Sequence, residues 1–145
     1  MIKNLLLVIC LLFIFQASIL CSQEAKKVGK VTGLEIPRFV SLKKSKTFLR
    51  RGPDKSYKID WILERNNYPL KVIAEHEHWR QVIDFQGDEG WVYFRLLSGK
   101  RTIIISQDEI FLRKTSKKNS NPIGILKYGV IGELIDKKEN SCNAR

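Results

Sequence analysis

The chain has 145 residues, with 26 Lys and Arg against 15 Asp and Glu, and a formal net charge of +11. This length allows one ordinary domain or two very small ones, which excludes a large multidomain enzyme. The positive charge favours anionic surroundings, while the abundance of Lys, Ile and Asn offers a purely compositional explanation for the same charge.

Residues 1–22 have the order of a secretory signal peptide. A lysine lies near the start, an apolar run extends from Leu5 to Phe15, and small and polar residues follow. Because a spanning helix needs about 20 apolar residues, this shorter run predicts export to the periplasm or beyond, with cleavage just after Ser22. An uncleaved N-terminal membrane anchor is the alternative. A lipid anchor on Cys21 is disfavoured, since the residue before it is not small.

The cysteines predict no disulfide within one molecule. Cys10 and Cys21 lie in the signal segment, so only Cys142 stays in the predicted mature chain. The fold must therefore depend on its core, and Cys142 is a free thiol or an intermolecular one.

Short β-rich runs dominate the rest of the sequence. Residues 23–37 are polar and contain glycines, which predicts a flexible leader. Beyond Pro37, β-branched and aromatic runs alternate with Gly, Pro, Asn and Asp, so we expect an all-β domain, a small barrel or sandwich. The predicted strands are 38–44, 60–65, 69–76, 79–85 and 90–97.

A repeat with an offset of 63 residues relates the two halves of the chain. Such internal similarity indicates two copies of one structural unit. The second copy ends before it reaches any equivalent of residues 82–97, so we predict a truncated second unit over residues 101–145 with a polar tail. The matching residues are Phe48-Leu49-Arg50 with Phe111-Leu112-Arg113, and Ile62-Leu63 with Ile125-Leu126.

The truncated unit has three possible outcomes. It is disordered, it packs on the first unit, or it borrows a strand from another molecule and forms a homodimer. We predict partial order and low stability for residues 103–136, and disorder after Asp136.

The first unit resembles bacterial SH3-like (SH3b) domains. In that family an opening strand precedes Leu-Arg-x-Gly-Pro, and an aromatic residue, a valine-rich strand, a Trp and a closing Gly-Trp-Val follow. The chain is similar to a subgroup of exported two-repeat proteins of Gram-negative bacteria. The resemblance implies one small SH3-like barrel over residues 38–100, followed by the incomplete repeat. The residues it assigns to the structural core are Leu49, Gly52, Pro53, Leu63, Val72, Trp79, Val82, Gly90, Trp91 and Val92.

Particular roles follow from this resemblance. Leu49 is expected to point into the barrel, while Gly52 and Pro53 set a sharp turn. Gly90 is expected to allow a tight turn, and Trp91 to cover one end of a small core.

The sequence offers no catalytic constellation. The mature chain has His76 and His78, one cysteine near its end, and no glycine-rich phosphate loop, so we expect no enzyme activity and no cofactor. Both histidines would share one face of a strand and could begin a zinc or copper site. No further ligand is specified and the segment coincides with a turn, so we predict a solvated turn and no metal.

The resemblance implies binding rather than catalysis. Three aromatic residues are not committed to the core and are candidates to face a ligand. Four basic residues of the same loop region could meet an anionic partner, with an ordinary solvated surface as the alternative. The aromatic candidates are Tyr57, Trp61 and Tyr93, and the basic ones are Arg50, Arg51, Lys55 and Lys58.

We therefore expect a non-enzymatic exported module that contacts peptidoglycan or another envelope component. A periplasmic protein–protein interaction module is one alternative, and a truncated chain with little remaining function is another. The export signal disfavours nucleic acid as a partner, although small basic barrels can bind it. Contact with the membrane is expected only if the signal segment stays uncleaved.

Overall fold

The structure is a computed structural model that describes residues 26–115, 117, 119–138 and 141–144. The predicted signal segment, residues 1–22, lies outside this part of the chain. The described residues form an all-β fold, as predicted, with one short 3-10 turn at Phe94–Leu96. No helix among them is long and apolar enough to cross a membrane.

Seven short strands make up the first unit. The predicted strand 69–76 has the predicted bounds, whereas the predicted strand 90–97 is interrupted by the 3-10 turn. The strand at 47–50 was not predicted, because four residues beside a turn-rich loop give too short a pattern. The strands are β1 Arg38–Leu42, β2 Thr47–Arg50, β3 Ile59–Leu63, β4 Pro69–His76, β5 Trp79–Ile83, β6 Glu89–Tyr93 and β7 Leu97–Ser98.

These strands form one antiparallel sheet with the order β3-β2-β6-β5-β4-β1-β7. The predicted small SH3-like fold is therefore present, but its sheet is not closed, because within the described residues the two end strands, β3 and β7, do not pair with each other. The physical reason lies in β7, which is two residues long and pairs with β1 alone. A sheet that stays open leaves its core to be covered by other parts of the chain.

The core consists of side chains that alternate along the strands. Leu42, Leu49, Val72, Val82 and Val92 are fully buried. In an extended strand every second residue faces the same side, which explains why Val82 and Val92 contribute while their neighbours do not. Burying one such side chain stabilises the fold by about 1.5–3 kcal/mol.

Most of the predicted core residues are buried in the structure. Leu63 is half-buried and packs against the core, and Pro53 is half-buried in its loop. Trp91 corrects the prediction, since it is half-buried and lies on the opposite face of β6 from Gly90 and Val92, as strand alternation requires. The buried members of the predicted set are Leu49, Gly52, Val72, Trp79, Val82, Gly90 and Val92.

The contact between Leu49 and Gly90 joins the two halves of the sheet. A Cβ placed on Gly90 would lie 2.7 Å from Leu49 Cβ and 3.3 Å from the Arg50 carbonyl oxygen. The expectation that Gly90 serves a tight turn is therefore wrong. Gly90 lies within β6, and its missing side chain lets β2 pack closely against this strand.

The second unit repeats the strand arrangement of the first. The sheet β12-β11-β8 corresponds to β5-β4-β1, and the hairpin of β9 and β10 corresponds to that of β2 and β3. Phe111 lies opposite Ile125 just as Phe48 lies opposite Ile62. In both hairpins the strand register shifts after the next pair of residues along the strand. The strands are β8 Thr102–Ile104, β9 Glu109–Arg113, β10 Pro122–Lys127, β11 Ile131–Lys138 and β12 Ser141–Ala144.

The described part of the second unit has no strand equivalent to β6. In the first unit β6 pairs with both β2 and β5, and so joins the hairpin to the rest of the sheet. Without such a strand, β9 and β10 form a separate two-stranded sheet. Leu112, the equivalent of the fully buried Leu49, is consequently 41% exposed.

The second unit packs on the first. Ile104 and Ile131 lie against the core of the first unit. Thr102 Oγ1 donates a hydrogen bond to the Asn67 carbonyl oxygen at 2.7 Å, and Arg65 donates to the Gly129 carbonyl oxygen. The expected disorder after Asp136 is also corrected, because β11 continues past this residue and pairs with β12.

The leader is folded over the residues that the structure describes, in contrast to the flexible segment predicted for 23–37. Val28 pairs with Glu35 across a turn, and Ile36 belongs to the buried core. Three groups of this segment, the Val31 and Thr32 amides and the Thr32 hydroxyl, donate hydrogen bonds to the Glu75 carboxylate of β4. The polar composition of the leader gave no sign of this anchoring, because it depends on Glu75, a residue more than forty positions away in the sequence.

The close contact at Gly90 predicts a loss of stability in Gly90→Ala. The new Cβ must displace Leu49 or the strand that carries it, and overpacking of this kind costs about 1–3 kcal/mol. Urea unfolding followed by tryptophan fluorescence measures the change in unfolding free energy. Gly99→Ala is the matched control, since a Cβ there meets no atom within 4 Å. Equal stability of the two variants would refute this account of Gly90.

Candidate ligand-binding site

Hydrogen bonds fix the loop that joins β2 to β3, residues 51–58. Arg51 Nε donates to both carboxylate oxygens of Asp60, at 2.8 and 3.0 Å. Arg50 Nη1 donates to the Tyr57 carbonyl oxygen at 2.7 Å. The Ser56 amide donates to Asp54 at 2.8 Å, and this bond lowers the pKa of the Asp54 carboxyl. The loop is therefore held in one conformation by its own side chains.

Tyr57 lies over Gly52 within this loop. A Cβ at Gly52 would meet the Tyr57 ring at 2.6 Å, so only glycine allows the ring this position. The ring is 48% exposed, and its other face is open to solvent or to a ligand. A preorganised aromatic side chain of this kind binds at a small entropic cost.

Trp61 lies on β3, at the open edge of the sheet. Its side chain is 47% exposed, and its neighbours Ile59 and Ile62 are exposed as well. Because β3 pairs only with β2 among the described strands, its second edge has free backbone groups. Trp61 and this edge together form an apolar, hydrogen-bonding surface beside the Tyr57 loop.

The four predicted basic residues have different roles in the structure. Arg50 and Arg51 use their guanidinium groups to hold the loop, as described above. Lys55 and Lys58 are exposed on the same loop. These two lysines are thus the cations that the loop presents to a partner. We call Tyr57, Trp61, Lys55 and Lys58 the hairpin surface.

Tyr93 does not join the hairpin surface. It belongs to an aromatic cluster at the turn between β4 and β5, where its ring centroid lies 5.7 Å from that of Trp79 and 5.2 Å from that of Phe94. His78 stacks on Phe94 with centroids 5.8 Å apart. This cluster covers Trp79, so Tyr93 has a packing role there.

The two histidines lie at a tight hairpin turn. His76 pairs with Trp79 across the turn, and Glu77 has a φ of 44°, the left-handed conformation of a turn residue. Among the described residues, no group of three or more His, Cys, Asp or Glu is arranged to hold a metal ion. Both histidines are exposed at this turn.

A cavity of about 280 Å³ lies where the two units meet. Phe39, Leu70, Phe85 and Ile104 contribute apolar side chains to its wall. None of the residues predicted for the ligand site lines this cavity. Its walls suit a small apolar group.

Comparison with known proteins agrees with this geometry. Residues 43–99 match the family described as bacterial SH3 domain. The chain carries a bacterial SH3 domain. The match includes the hairpin surface and the Leu49–Gly90 contact. A search of curated proteins gives no significant match.

The SH3 domain of this chain extends beyond the matched residues. Strand β1 precedes residue 43, yet it lies inside the sheet between β4 and β7. Bacterial SH3 domains are in general binding modules, which agrees with a site built from exposed aromatic and basic side chains rather than from a nucleophile and a base.

A buried ion cluster beside the SH3 domain's sheet was not predicted from the sequence. The Glu75 side chain is fully buried and accepts a hydrogen bond from Arg38 Nη2 at 2.7 Å. Arg80 Nε lies 3.4 Å from the same carboxylate oxygen. The sequence signal for this cluster was an acidic residue in the predicted strand 69–76, with basic residues in the predicted strands 38–44 and 79–85. The nearby histidines, His76 and His78, instead favoured a metal site as the hypothesis for this segment.

The cluster changes the titration of its members. Burial alone would raise the pKa of Glu75, but the hydrogen bonds from Thr32, Arg38 and Val31 outweigh it and lower the pKa from 4.5 to about 2. Burial lowers the pKa of Arg80, and Glu75 opposes this effect. Glu75 is therefore ionised in the folded protein at all but strongly acidic pH.

We predict that Glu75 makes stability depend on pH between about 4.5 and about 2. In this window the unfolded chain takes up a proton at Glu75 and the folded chain does not, so stability is present above pH 4.5 and is lost as pH falls. Urea unfolding at several pH values should show a shallower loss in Glu75→Gln. Glu64→Gln, at an exposed glutamate, should keep the wild-type slope. Equal slopes in wild type and Glu75→Gln would contradict the prediction.

Proposed function

We propose that the protein is an exported, non-enzymatic binding module whose hairpin surface contacts peptidoglycan or another component of the cell envelope. The signal segment at residues 1–22 supports export to the periplasm, with cleavage after Ser22. An N-terminal anchor is the alternative state of the same segment. The single observation that carries the proposal is the hydrogen-bonded loop with exposed Tyr57, Lys55 and Lys58, followed directly by β3 with exposed Trp61.

The chemistry of the hairpin surface fits a polymer of sugars and peptides. Exposed aromatic rings stack on the apolar faces of sugars and peptide units, and lysines attract the carboxylates of an anionic polymer. The loop needs no rearrangement to bind, because Arg50 and Arg51 already hold it. Binding by such a surface requires no catalytic group.

A protein partner in the periplasm is the second candidate. The observation in its favour is the open edge of β3, where an extended peptide could add as a further strand next to Ile59 and Trp61. Backbone hydrogen bonds would then supply affinity, and the exposed side chains would supply specificity. A chain with little remaining function is the third candidate, and the packing of the second unit on the first argues against it.

We predict that the purified protein co-sediments with isolated peptidoglycan and that retention survives high salt. Trp61→Ala and Tyr57→Ala should each weaken retention about tenfold, as the loss of a stacking ring costs on the order of 1–3 kcal/mol. The combined Lys55→Gln and Lys58→Gln variant should lose only the salt-dependent part of binding.

The control for this experiment is Phe39→Ala, which removes an exposed aromatic residue on β1, outside the hairpin surface. It should leave retention unchanged. If salt abolishes retention of the wild type, binding rests on net charge and the proposed site is wrong. If the wild type is not retained at all, the wall polymer is excluded and the β3 edge becomes the surface to test.

We also propose that a second copy of the chain completes the second unit. Strand β9 has one partner, β10, in the described residues, and its other edge corresponds to the edge that β2 offers to β6. Leu112 and Phe111 are exposed beside this edge. Antiparallel pairing of β9 with its copy would satisfy the backbone groups of this edge, bring the two Leu112 side chains to one face of the joined sheet and form a symmetric dimer.

The dimer predicts a mass that rises with concentration in sedimentation equilibrium. Leu112→Asp should shift the protein to a monomer, because the interface would then bury an unpaired charge. Ile62→Asp is the matched control, an equally simple change at an exposed position of the first hairpin. A monomeric wild type at all concentrations, or a dimer unaffected by Leu112→Asp, would refute the proposal.

A further inference from the structure

A second cavity, of about 200 Å³, lies apart from the hairpin surface, between the leader and the sheet. The leader contributes Thr32 and Leu34 to its wall, and the segment after the 3-10 turn contributes Ser98 and Gly99. The anchoring of the leader on Glu75 therefore also builds one side of this cavity.

Two arginines line the cavity, and no acidic residue does. They are Arg38 and Arg80, whose side chains are 20% and 7% exposed. Both arginines contact the buried Glu75 carboxylate, and Glu75 itself does not line the cavity. Two cations and one anion leave the cluster with a net charge of +1, so the cavity has a positive wall that its own surroundings do not neutralise.

One donor of the Arg38 guanidinium has no partner. Arg38 Nη1 is buried and makes no hydrogen bond within the described residues, whereas Arg38 Nη2 is bound to Glu75. A charged donor buried without an acceptor is unfavourable, so an anion that reaches Arg38 from the cavity would satisfy it. Arg80 Nη1, in comparison, is satisfied by the carbonyl oxygens of Glu77 and Trp79.

We propose that this cavity binds the carboxylate at the end of a short peptide. A planar guanidinium matches a carboxylate in charge and shape, and the single surplus charge balances one negative charge. Ser98 provides a hydroxyl group at the cavity wall, while Leu34, Phe94 and Leu97 provide apolar area for a small side chain. A divalent anion such as phosphate would leave an uncompensated charge in this partly buried setting.

The site is independent of the hairpin surface, since it shares no residue with it. A chain with both sites could hold one partner at two points, or two partners at once. Failure of the peptidoglycan experiment would leave this site untouched, and the reverse also holds.

The test uses the purified protein and the dipeptide acetyl-alanyl-alanine, with its C-terminal amide as the matched ligand. Titration followed by NMR of the arginine Nε–Hε signals reports directly on Arg38 and Arg80. We expect saturable shifts from the acid with a dissociation constant below about 10 mM, and at least tenfold weaker binding of the amide. Inorganic phosphate should bind more weakly than the acid.

Two variants test the site itself. Arg38→Lys keeps the charge next to Glu75 but removes the unpaired Nη1, so it should weaken acid binding at least tenfold. Leu34→Trp fills the cavity from an exposed position and should have the same effect without touching the ion cluster. Lys44→Gln, at an exposed lysine outside both sites, should bind the acid as the wild type does.

Several results would overturn the proposal. They are equal binding of the acid and the amide, no binding of the acid up to about 10 mM, and unchanged binding in both Arg38→Lys and Leu34→Trp. Tighter binding of phosphate than of the acid would also reject the carboxylate as the ligand. Thermal unfolding of each variant establishes that it is folded before it is titrated.

Discussion

The open sheet of the first unit imposes the constraint on which the rest of the structure depends. A sheet whose end strands do not meet cannot enclose a core, so other segments must cover it. The leader supplies Ile36, and the second unit supplies Ile104 and Ile131. Both segments lie outside residues 43–99, the part that matches the SH3 family. The folding unit of this protein is therefore larger than the recognisable domain.

Short-range patterns made much of the fold predictable. Alternation of apolar residues located most of the strands, and the 63-residue repeat matched Phe111 and Ile125 to Phe48 and Ile62, the residues that pair in the two hairpins. Sheet closure and the position of Trp91 were not predictable in the same way. Closure depends on the length of β7, and the burial of Trp91 depends on which face of β6 meets the core. Both are decided by contacts between distant strands, which one sequence does not specify.

The residues of the candidate site were likewise predictable from the sequence only in part. Tyr57 and Trp61 could be proposed from sequence, since aromatic residues near a turn and on an edge strand are commonly exposed. The roles of Arg50 and Arg51 could not, because a basic residue on a loop looks the same whether it meets a ligand or its own backbone. Glu75 was missed for a related reason. The segment that Glu75 opens contains His76 and His78 and is typical of a metal site, and only the fold brings Arg38 and Arg80 beside Glu75.

The anchoring of the leader has a consequence for the way the chain folds. Thr32 and Glu75 are 43 residues apart, Thr102 and Asn67 are 35 apart, and Arg65 and Gly129 are 64 apart. Contacts of such long range form late, because the entropy of closing a large loop must be overcome before they contribute. The sheet itself has contacts of similar range, since Arg50 pairs with Trp91 and Ser41 pairs with Ser98. A fold that depends on such contacts is expected to form slowly, with the hairpins, which rest on local contacts, as the parts expected to form first.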